Sequence, residues 1–463
     1  MILLSLSVGL PWVIGAVFAM LNGRRPWVAW LAVAGLAANF LCISLLGARV
    51  LREGQVEMVA GDWPEGIGIA LRADALGIAF ALVSSGVILA SMLYEVILGV
   101  RSRTFPAFML FLNAGLVGLF LTGDAFNFYV FFEISMAASF VLTGYRERDQ
   151  QVRAAFIFAV INLLGSVIFL IAVAGLYHLT GSLDMEVIAQ RMSDAGSAPA
   201  LLIATAIFVA FSLKLGLFPF HFWLPAAYIG SHAPVAAILS GAVANIGGYG
   251  LLRFSGHIMP EQFETGAVVL LALGSASIVY GALQAVSRFM PVEVMAYSAI
   301  GQAGYILIAI GIAGSVGYEA AVLYALVNSL NKGLLFLATG LRGPLVGAAF
   351  AVGAFSVAGV PPAVGFVGKL ELFLASLTVG GVAGSAALVT LVFLGGAVSF
   401  VYSFQVYSRI YLRPRENPGK PDPAPARVLV ILLAGLVLAL GIWPEPLLVL
   451  SDAAAAALSG GAG

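Results

Sequence analysis

Hydrophobic residues run along this chain in blocks of about twenty, the length an α-helix needs to cross the hydrocarbon of a bilayer. Short polar or Gly/Pro-bearing joints part the blocks. They predict about fourteen spans, near 1–21, 26–47, 74–99, 105–122, 125–144, 154–178, 201–220, 235–254, 267–287, 292–314, 317–340, 348–378, 384–411 and 427–450. The short alternating segments of a membrane β-barrel are missing. The expected fold class is therefore an all-α polytopic membrane protein. Between the blocks, "EGQVEMVAGDWPEGIGIALRA" (53–73) alternates enough for a small extramembrane hairpin, 181–194 reads as a short amphipathic surface helix, and "RPRENPGKPDPAPAR" (413–427) reads as a Pro-rich loop. The opening "MILLSLSVGLPW" has no basic flank, so it reads as a first span and not as a cleaved signal peptide.

Basic residues in the joints set the orientation. Odd-numbered loops and their flanks hold fourteen Lys and Arg residues, and even-numbered ones hold five. That asymmetry puts the odd loops in the cytoplasm and both termini outside, in a bacterial or archaeal-type cytoplasmic membrane. Composition adds exclusions. Charged residues make up 10% of the chain, against about 25% in soluble domains. Zero net charge gives nucleic acid no footing. A single cysteine, Cys42, excludes a disulfide framework, an iron–sulfur cluster and a Cys-based zinc site. No glycine-rich phosphate loop follows a strand pattern. Neither cofactor nor metal is expected, and no redox or hydrolytic centre is recognisable in the chain itself.

The three remaining basic residues, Lys214, Lys332 and Lys369, fall inside predicted spans, whereas every arginine lies at or near a span end. Arginine stays charged in proteins, but a buried lysine can surrender its proton. One central lysine costs about 2.5–3.5 kcal/mol on insertion scales, which argues for a purpose, here the movement of protons. Pro219 should break the seventh span just after Lys214, and Pro361 with Pro362 should break the twelfth before Lys369, freeing the Val357 and Ala358 carbonyls. Discontinuous helices at membrane depth expose backbone that lines hydrated cavities. The two broken spans lie five apart, so spans 4–8 and 9–13 have opposite orientation, the arrangement of an inverted five-helix repeat. The corresponding regions are 1–104, 105–254, 255–412 and 413–463.

Glu133, in the fifth span, needs a neighbouring ammonium to stay ionised, and Lys214 is the expected partner because both fall near mid-depth of one repeat. Lys332 has Asn328 four residues earlier on the same helix face and Asn331 beside it. The plain alternative is that a buried Glu–Lys pair is structural glue and that Lys332 snorkels. Glu371 points away from Lys369 and reads as structural. His221 and His232 flank the turn after Pro219, where they either relay protons or pack.

Several motifs together, "GDAFNFYVFFEISMAASFVL", "SLKLGLFPFHFWLP", "APVAAILSG", "AYSAIGQAGY", "NKGLLFLATG" and "VAGVPPAVGFVGKLELF", resemble the antiporter-like subunits of three systems. These are Mrp-type cation/proton antiporters, the membrane arm of complex I (NADH–quinone oxidoreductase) and energy-converting membrane-bound hydrogenases. The D branch of the Mrp antiporters is the most similar. The resemblance implies fourteen helices in two inverted repeats, a Glu133–Lys214 pair, Lys369 as terminal lysine of the second half-channel, and Lys332 on the central axis. It implies partner antiporter-like and small membrane subunits in a hetero-oligomeric complex, with protons, and sodium as a second candidate ion, as cargo. Three positions depart from the family pattern. Asn245 and Asn328 stand where titratable residues are usual, and Ala226 replaces an aspartate. Asparagine orients water but holds no proton. The leading expectation is a proton-translocating subunit running from Lys214 through Asn245, Asn328 and Lys332 to Lys369. The alternatives are a degenerate structural subunit that no longer conducts, and a self-sufficient secondary transporter.

Overall fold

A computed structural model describes residues 1–59, 61, 68–146, 148–192, 196–413 and 422–458. Helices α1 (Ile2–Met20) and α2 (Pro26–Glu53) lead into a two-stranded antiparallel hairpin, β1 (Val56–Val59) and β2 (Ala70–Ala73), with Val56 opposite Ala73. Then follow α3 (Ala75–Leu98), α4 (Phe105–Phe120), α5 (Ala125–Thr143), α6 (Asp149–Thr180), α7 (Met185–Met192), α8 (Ser197–Leu215) and α9 (Trp223–Gly230). Next, α10 (Ala233–Ile238) and α11 (Asn245–Arg253) are joined by a π-helical turn, Leu239–Val243, and a second π turn leads to α12 (Pro260–Thr265). The chain continues through α13 (Ala267–Ser287), α14 (Pro291–Ile312), α15 (Gly314–Thr339), α16 (Pro344–Ala358), α17 (Gly365–Leu377), α18 (Val382–Tyr407), α19 (Ala424–Ile442) and α20 (Glu445–Leu458).

Among the described residues, twelve helical stretches are long and apolar enough to cross a membrane, and α4 and α16 are shorter apolar helices. The protein is a multi-pass α-helical membrane protein. Both the expected hairpin and the amphipathic helix near 181–194 are present, although the hairpin tip (60, 62–67) and most of the Pro-rich loop (414–421) lie outside the described residues. The last predicted span, 427–450, is instead two helices. Proline cannot continue a helix, and Pro444 parts α19 from α20, which folds back against α3 and α15.

Local chemistry explains the joints. Proline stands in the first turn of α2, α4, α14, α16 and α19, where its missing N–H costs nothing. Asp74 caps α3 by accepting from the Gly77 N–H at 2.8 Å, and Asp124 caps α5 through Asn127 at 2.6 Å. Asp74 also meets Arg253 at 2.7 Å, a buried ion pair that ties the start of α3 to the end of α11.

The helices sort by burial. About two-thirds or more of the residues in α3, α10–α11, α14 and α15 are buried, whereas α1, α2, α6, α13, α18 and α19 bury fewer than half and form the perimeter. Polar groups on the central helices are therefore screened from lipid by a second layer. Small residues bring α13 and α14 into backbone contact, since a Cβ on Gly281 would lie 2.4 Å from the Gly301 nitrogen.

Both expected breaks are present and share a local pattern. α8 ends on Gly216 (φ 74°) and α16 on Gly359 (φ 82°), left-handed conformations that glycine adopts without strain. A proline stands three residues beyond each glycine, Pro219 and Pro362. Lys214 lies one residue from the end of α8, and Lys369 lies in the first turns of α17. The second break folds back tightly: the Gly365 N–H donates to Ser356 Oγ at 2.9 Å, and a Cβ on Gly365 would fall 1.7 Å from the Ser356 carbonyl oxygen. Gly365→Ala should therefore destabilise the fold by about 1–3 kcal/mol, as forced overpacking does. Gly9→Ala, with nothing within 4 Å of the added carbon, should be neutral or better. Thermal unfolding of the two purified variants in detergent checks the contrast.

Candidate functional site

The first cluster forms at the end of α8. Lys214 is buried, and its Nζ donates to the Asn162 carbonyl on α6 at 2.9 Å and to Ser166 Oγ at 3.4 Å. The Phe132 ring of α5 lies 4.1 Å from the ammonium, within cation–π range. Glu133 is near enough to act on Lys214 electrostatically, but no ion pair joins them. The adjacent Phe132 ring occupies the space over the ammonium, and the Asn162 carbonyl takes the contact expected of the carboxylate. Glu133 Oε1 is buried and makes no hydrogen bond within the protein.

The second cluster lies where α3, α11 and α15 meet. Asn245 follows the π turn, donates to Ser84 Oγ at 3.0 Å and to the Gly241 carbonyl at 3.2 Å, and accepts from Ser329 Oγ at 2.9 Å. π turns inside α-helices recur at functional sites. Ser329, not Asn328, is thus the α15 residue joined to Asn245. Asn328 points to the next face of α15, and its Oδ1 makes no hydrogen bond within the protein. No side-chain hydrogen bond among the described residues connects Asn245 to the Lys214 cluster, although Gly247 brings α11 into close contact with the α8 backbone.

Lys332, one turn beyond Ser329, is fully buried and does not snorkel. Its Nζ donates to Ser298 Oγ on α14 at 2.9 Å. From there a chain of hydroxyl and amide groups leads towards Lys369. Ser298 Oγ and the Tyr402 hydroxyl are 2.9 Å apart, Tyr402 donates to Ser399 Oγ at 3.0 Å, and Gln302 Nε2 donates to Tyr402 at 3.3 Å. The Tyr324 hydroxyl donates to Gln302 Oε1, and the Tyr324 and Tyr305 rings are 5.2 Å apart. A cavity of about 10 Å³ lies among Ser298, Gln302, Tyr305, Ser399 and Tyr402, close to the smallest space that holds one water.

Lys369 ends the line. Its Nζ is 4.9 Å from the Tyr305 ring centroid and donates to the Ala358 carbonyl at 3.2 Å, one of the two carbonyls the break was expected to free. It also borders a larger cavity of about 690 Å³ between α16, α17 and α18, walled by Phe355, Phe366, Phe373 and Phe400.

The two histidines differ. His221 is buried between the Phe218 and Tyr280 rings, with centroids at 5.6 and 4.4 Å, and its Nδ1 makes no hydrogen bond. His232 Nδ1 instead lies 3.5 Å from Glu95 Oε2, in a cluster that also holds Arg146, 3.3 Å from Glu95 Oε1, and the Tyr145 hydroxyl, which donates to Glu95. Burial, reinforced by the Glu95 carboxylate, pushes the Tyr145 phenol well above its ordinary pKa, so it stays a neutral donor. Glu95 itself is fully buried.

Sequence reasoning did not select Glu95, Ser329, Gln302 or the tyrosines. Part of the signal was there: Ser298, Gln302 and Tyr305 recur at helical spacing within "AYSAIGQAGY" and share one face of α14. Nothing local marks Tyr402, which comes from a helix a hundred residues further along the chain.

The family model described as "NADH:quinone oxidoreductase/Mrp antiporter, TM" matches residues 122–395. The D-type subunit of the Na(+)/H(+) antiporter of Alkalihalophilus pseudofirmus is 30% identical over 400 residues, covering 81% of this chain and 80% of the relative. A chain in the structure of the Mrp complex from Dietzia sp. DQ12-45-1b superposes with a TM-score of 0.91 at 26% identity, over 100% of this chain and 98% of that one. A chain of the archaeal membrane-bound sulfane sulfur reductase, a respiratory membrane complex, gives a TM-score of 0.89 at 25% identity, over 98% and 97%. The family model spans more than half of the sequence and the fold agrees from end to end, so this chain belongs to the NADH:quinone oxidoreductase/Mrp antiporter transmembrane family.

Proposed function

We propose that this chain is a D-type subunit of a multisubunit cation/proton antiporter and carries protons along the buried line from Lys214 to Lys369. One observation carries the reading: three lysines are enclosed by membrane helices, and Lys332 and Lys369 stand at the two ends of one polar cluster, hydrogen-bonded from Lys332 as far as Tyr324 and Ser399 and continued to Lys369 by the Tyr324–Tyr305 ring contact, where the Tyr305 hydroxyl has no protein partner and water closes the last step. An ammonium that donates to a serine hydroxyl can pass a proton along the chain of oxygens beyond it, and a neutral amine can take one back. Asn245 and Ser329 extend the line towards Lys214, with Glu133 biasing that ammonium through space and not through contact. Water completes the step between Lys214 and Asn245, and Asn328 stands beside the route. His232 and Glu95 form the mouth nearest the Arg-rich loops. The large cavity at Lys369 serves the opposite half-channel.

The finer parts of this reading follow from it. Regions 105–254 and 255–412 are the inverted units, with the shared Gly-x-x-Pro break in each. The Arg-rich ends face the cytoplasm, both termini face outward, and the host is a bacterial or archaeal cytoplasmic membrane. Other antiporter-like and small membrane subunits complete the complex, a reading supported by similar chains that come from the Mrp complex and from a respiratory membrane complex, and sodium is the counter-ion, as in the name of the Alkalihalophilus relative.

Three outcomes test the line, each read as pH-gradient-driven cation flux by the complex reconstituted in vesicles. Lys214→Ala and Lys369→Ala should each abolish flux while the complex still assembles; full flux in either variant would refute the scheme and leave the non-conducting alternative. Tyr402→Phe keeps the ring and removes the hydroxyl that Ser298, Gln302 and Ser399 share. It should lower flux by about tenfold or more, since positioned proton-transfer groups contribute at least that, while stability falls by only about 1 kcal/mol. His232→Gln should slow flux by a similar factor, whereas His221→Phe, which preserves the aromatic packing, should stay within about twofold of the parent.

A further inference from the structure

Three loops meet at the Arg-rich end of the molecule, and hydrogen bonds fix them to one another. The Gly23 N–H donates to the Arg103 carbonyl at 2.8 Å, Arg24 Nε to the Arg101 carbonyl at 2.9 Å, and the Arg101 N–H to the Tyr145 hydroxyl at 2.9 Å. Together the loops enclose a cavity of about 290 Å³ lined by Arg24, Arg101, Ser102, Tyr145, Arg146 and Arg148. Four of these six residues are arginines and none is acidic. Among the described residues, Arg24, Arg101 and Arg148 have no ion-pair partner. Arg146 directs Nη2 towards Glu95, while its Nε is buried and makes no hydrogen bond within the protein. Guanidinium groups lining one chamber, with no carboxylate on its wall among the described residues, match the oxygens of a phosphate.

A second crevice of about 100 Å³ between α4 and α5 shares Ser102 and Tyr145 with this cavity, and Phe105, Phe108, Val141 and Leu142 line it together with Thr104 and Gly144. Val141 is 45% exposed on the perimeter of the molecule. A cationic chamber at the level where membrane helices end, beside a crevice walled in part by apolar side chains, has the polarity of an anionic glycerophospholipid, phosphate in the chamber and the first part of an acyl chain against the crevice wall. Basic pockets between membrane helices bind such head groups. We propose that this corner is an anionic-phospholipid site, with Arg24, Arg101 and Arg148 on the phosphate and Phe108 and Val141 against the first part of the acyl chain. A free phosphate ion shares the chemistry of the chamber but leaves the crevice without an occupant. The site shares Tyr145 and Arg146 with the Glu95 cluster, but lipid binding there does not depend on the proposed function.

Arginines that serve only to orient the chain need charge at this end, but not a shared chamber with Phe108 and Val141 beside it. The test separates the two roles. The full chain, purified with its accompanying subunits and stripped of lipid, is titrated with phosphatidylglycerol, phosphatidylcholine or inorganic phosphate, and bound lipid is counted by native mass spectrometry. Phosphatidylglycerol should bind at least about tenfold more tightly than phosphatidylcholine, and Arg101→Gln with Arg148→Gln should erase that preference. Arg101→Lys with Arg148→Lys keeps the orienting charge and should still weaken phosphatidylglycerol binding several-fold, because the forks are gone. Val141→Asn should weaken the lipid and leave phosphate binding unchanged. Equal retention of both lipids by the parent, or an undiminished preference in the Gln variant, overturns the proposal. Phosphate binding without any preference for phosphatidylglycerol identifies an ion site and overturns the lipid assignment.

Discussion

A lysine ammonium carries three donors, and within a membrane there is no bulk water to receive them. Each buried lysine here has met that demand differently, and the surrounding helices are arranged to let it. Lys214 uses a carbonyl and a hydroxyl on α6 together with the face of Phe132. Lys332 relies on Ser298. Lys369 turns back to the Ala358 carbonyl, which is free because the helix stops there. Each solution holds the amine with neutral contacts and not with a contact counter-charge. A strong contact ion pair at any of the three would pin the proton in place. The separation of Glu133 from Lys214 belongs to the same logic.

The opposite treatment appears at the two ends of α3. Asp74 with Arg253 at one end, and Glu95 with Arg146 at the other, are direct charge pairs between side chains that hold helices together, the second joined by the neutral Tyr145 hydroxyl. A buried arginine cannot trade its proton, so the guanidinium in each pair fastens and orients, and at the Glu95 end proton exchange falls to His232 beside it. The perimeter helices then complete the insulation: α14, α15 and the inner face of α18 hold the hydroxyl chain, and α13, α19 and the outer face of α18 separate it from lipid.

How much of this was legible in the sequence divides by distance along the chain. The spans, the three interior lysines and both helix breaks are local, and each has a physical cause within a few residues: an apolar run, a costly charge, a glycine followed by proline. Contacts between distant segments were not legible. Glu133 and Lys214 were matched by charge, but charge does not tell which neighbour on the helix faces the partner, and Phe132 took the place. Asn328 was chosen for its spacing from Lys332, yet α15 presents Ser329 to Asn245. Tyr402 has no local feature that separates it from a lipid-facing aromatic residue. The break at Pro444 was passed over because hydrophobicity continues across it.

The π turn at Leu239–Val243 shapes what comes after it. Widening one turn by a residue puts everything downstream about 100° out of phase with a regular α-helix. Asn245 faces Ser84 and Ser329 only in that phase. A continuous α-helix over the same residues would aim the amide elsewhere, and the middle of the protein would hold two serines with nothing between them. The irregular turn is therefore a rotational setting, and the connection between the two halves of the molecule is written into the winding of one helix.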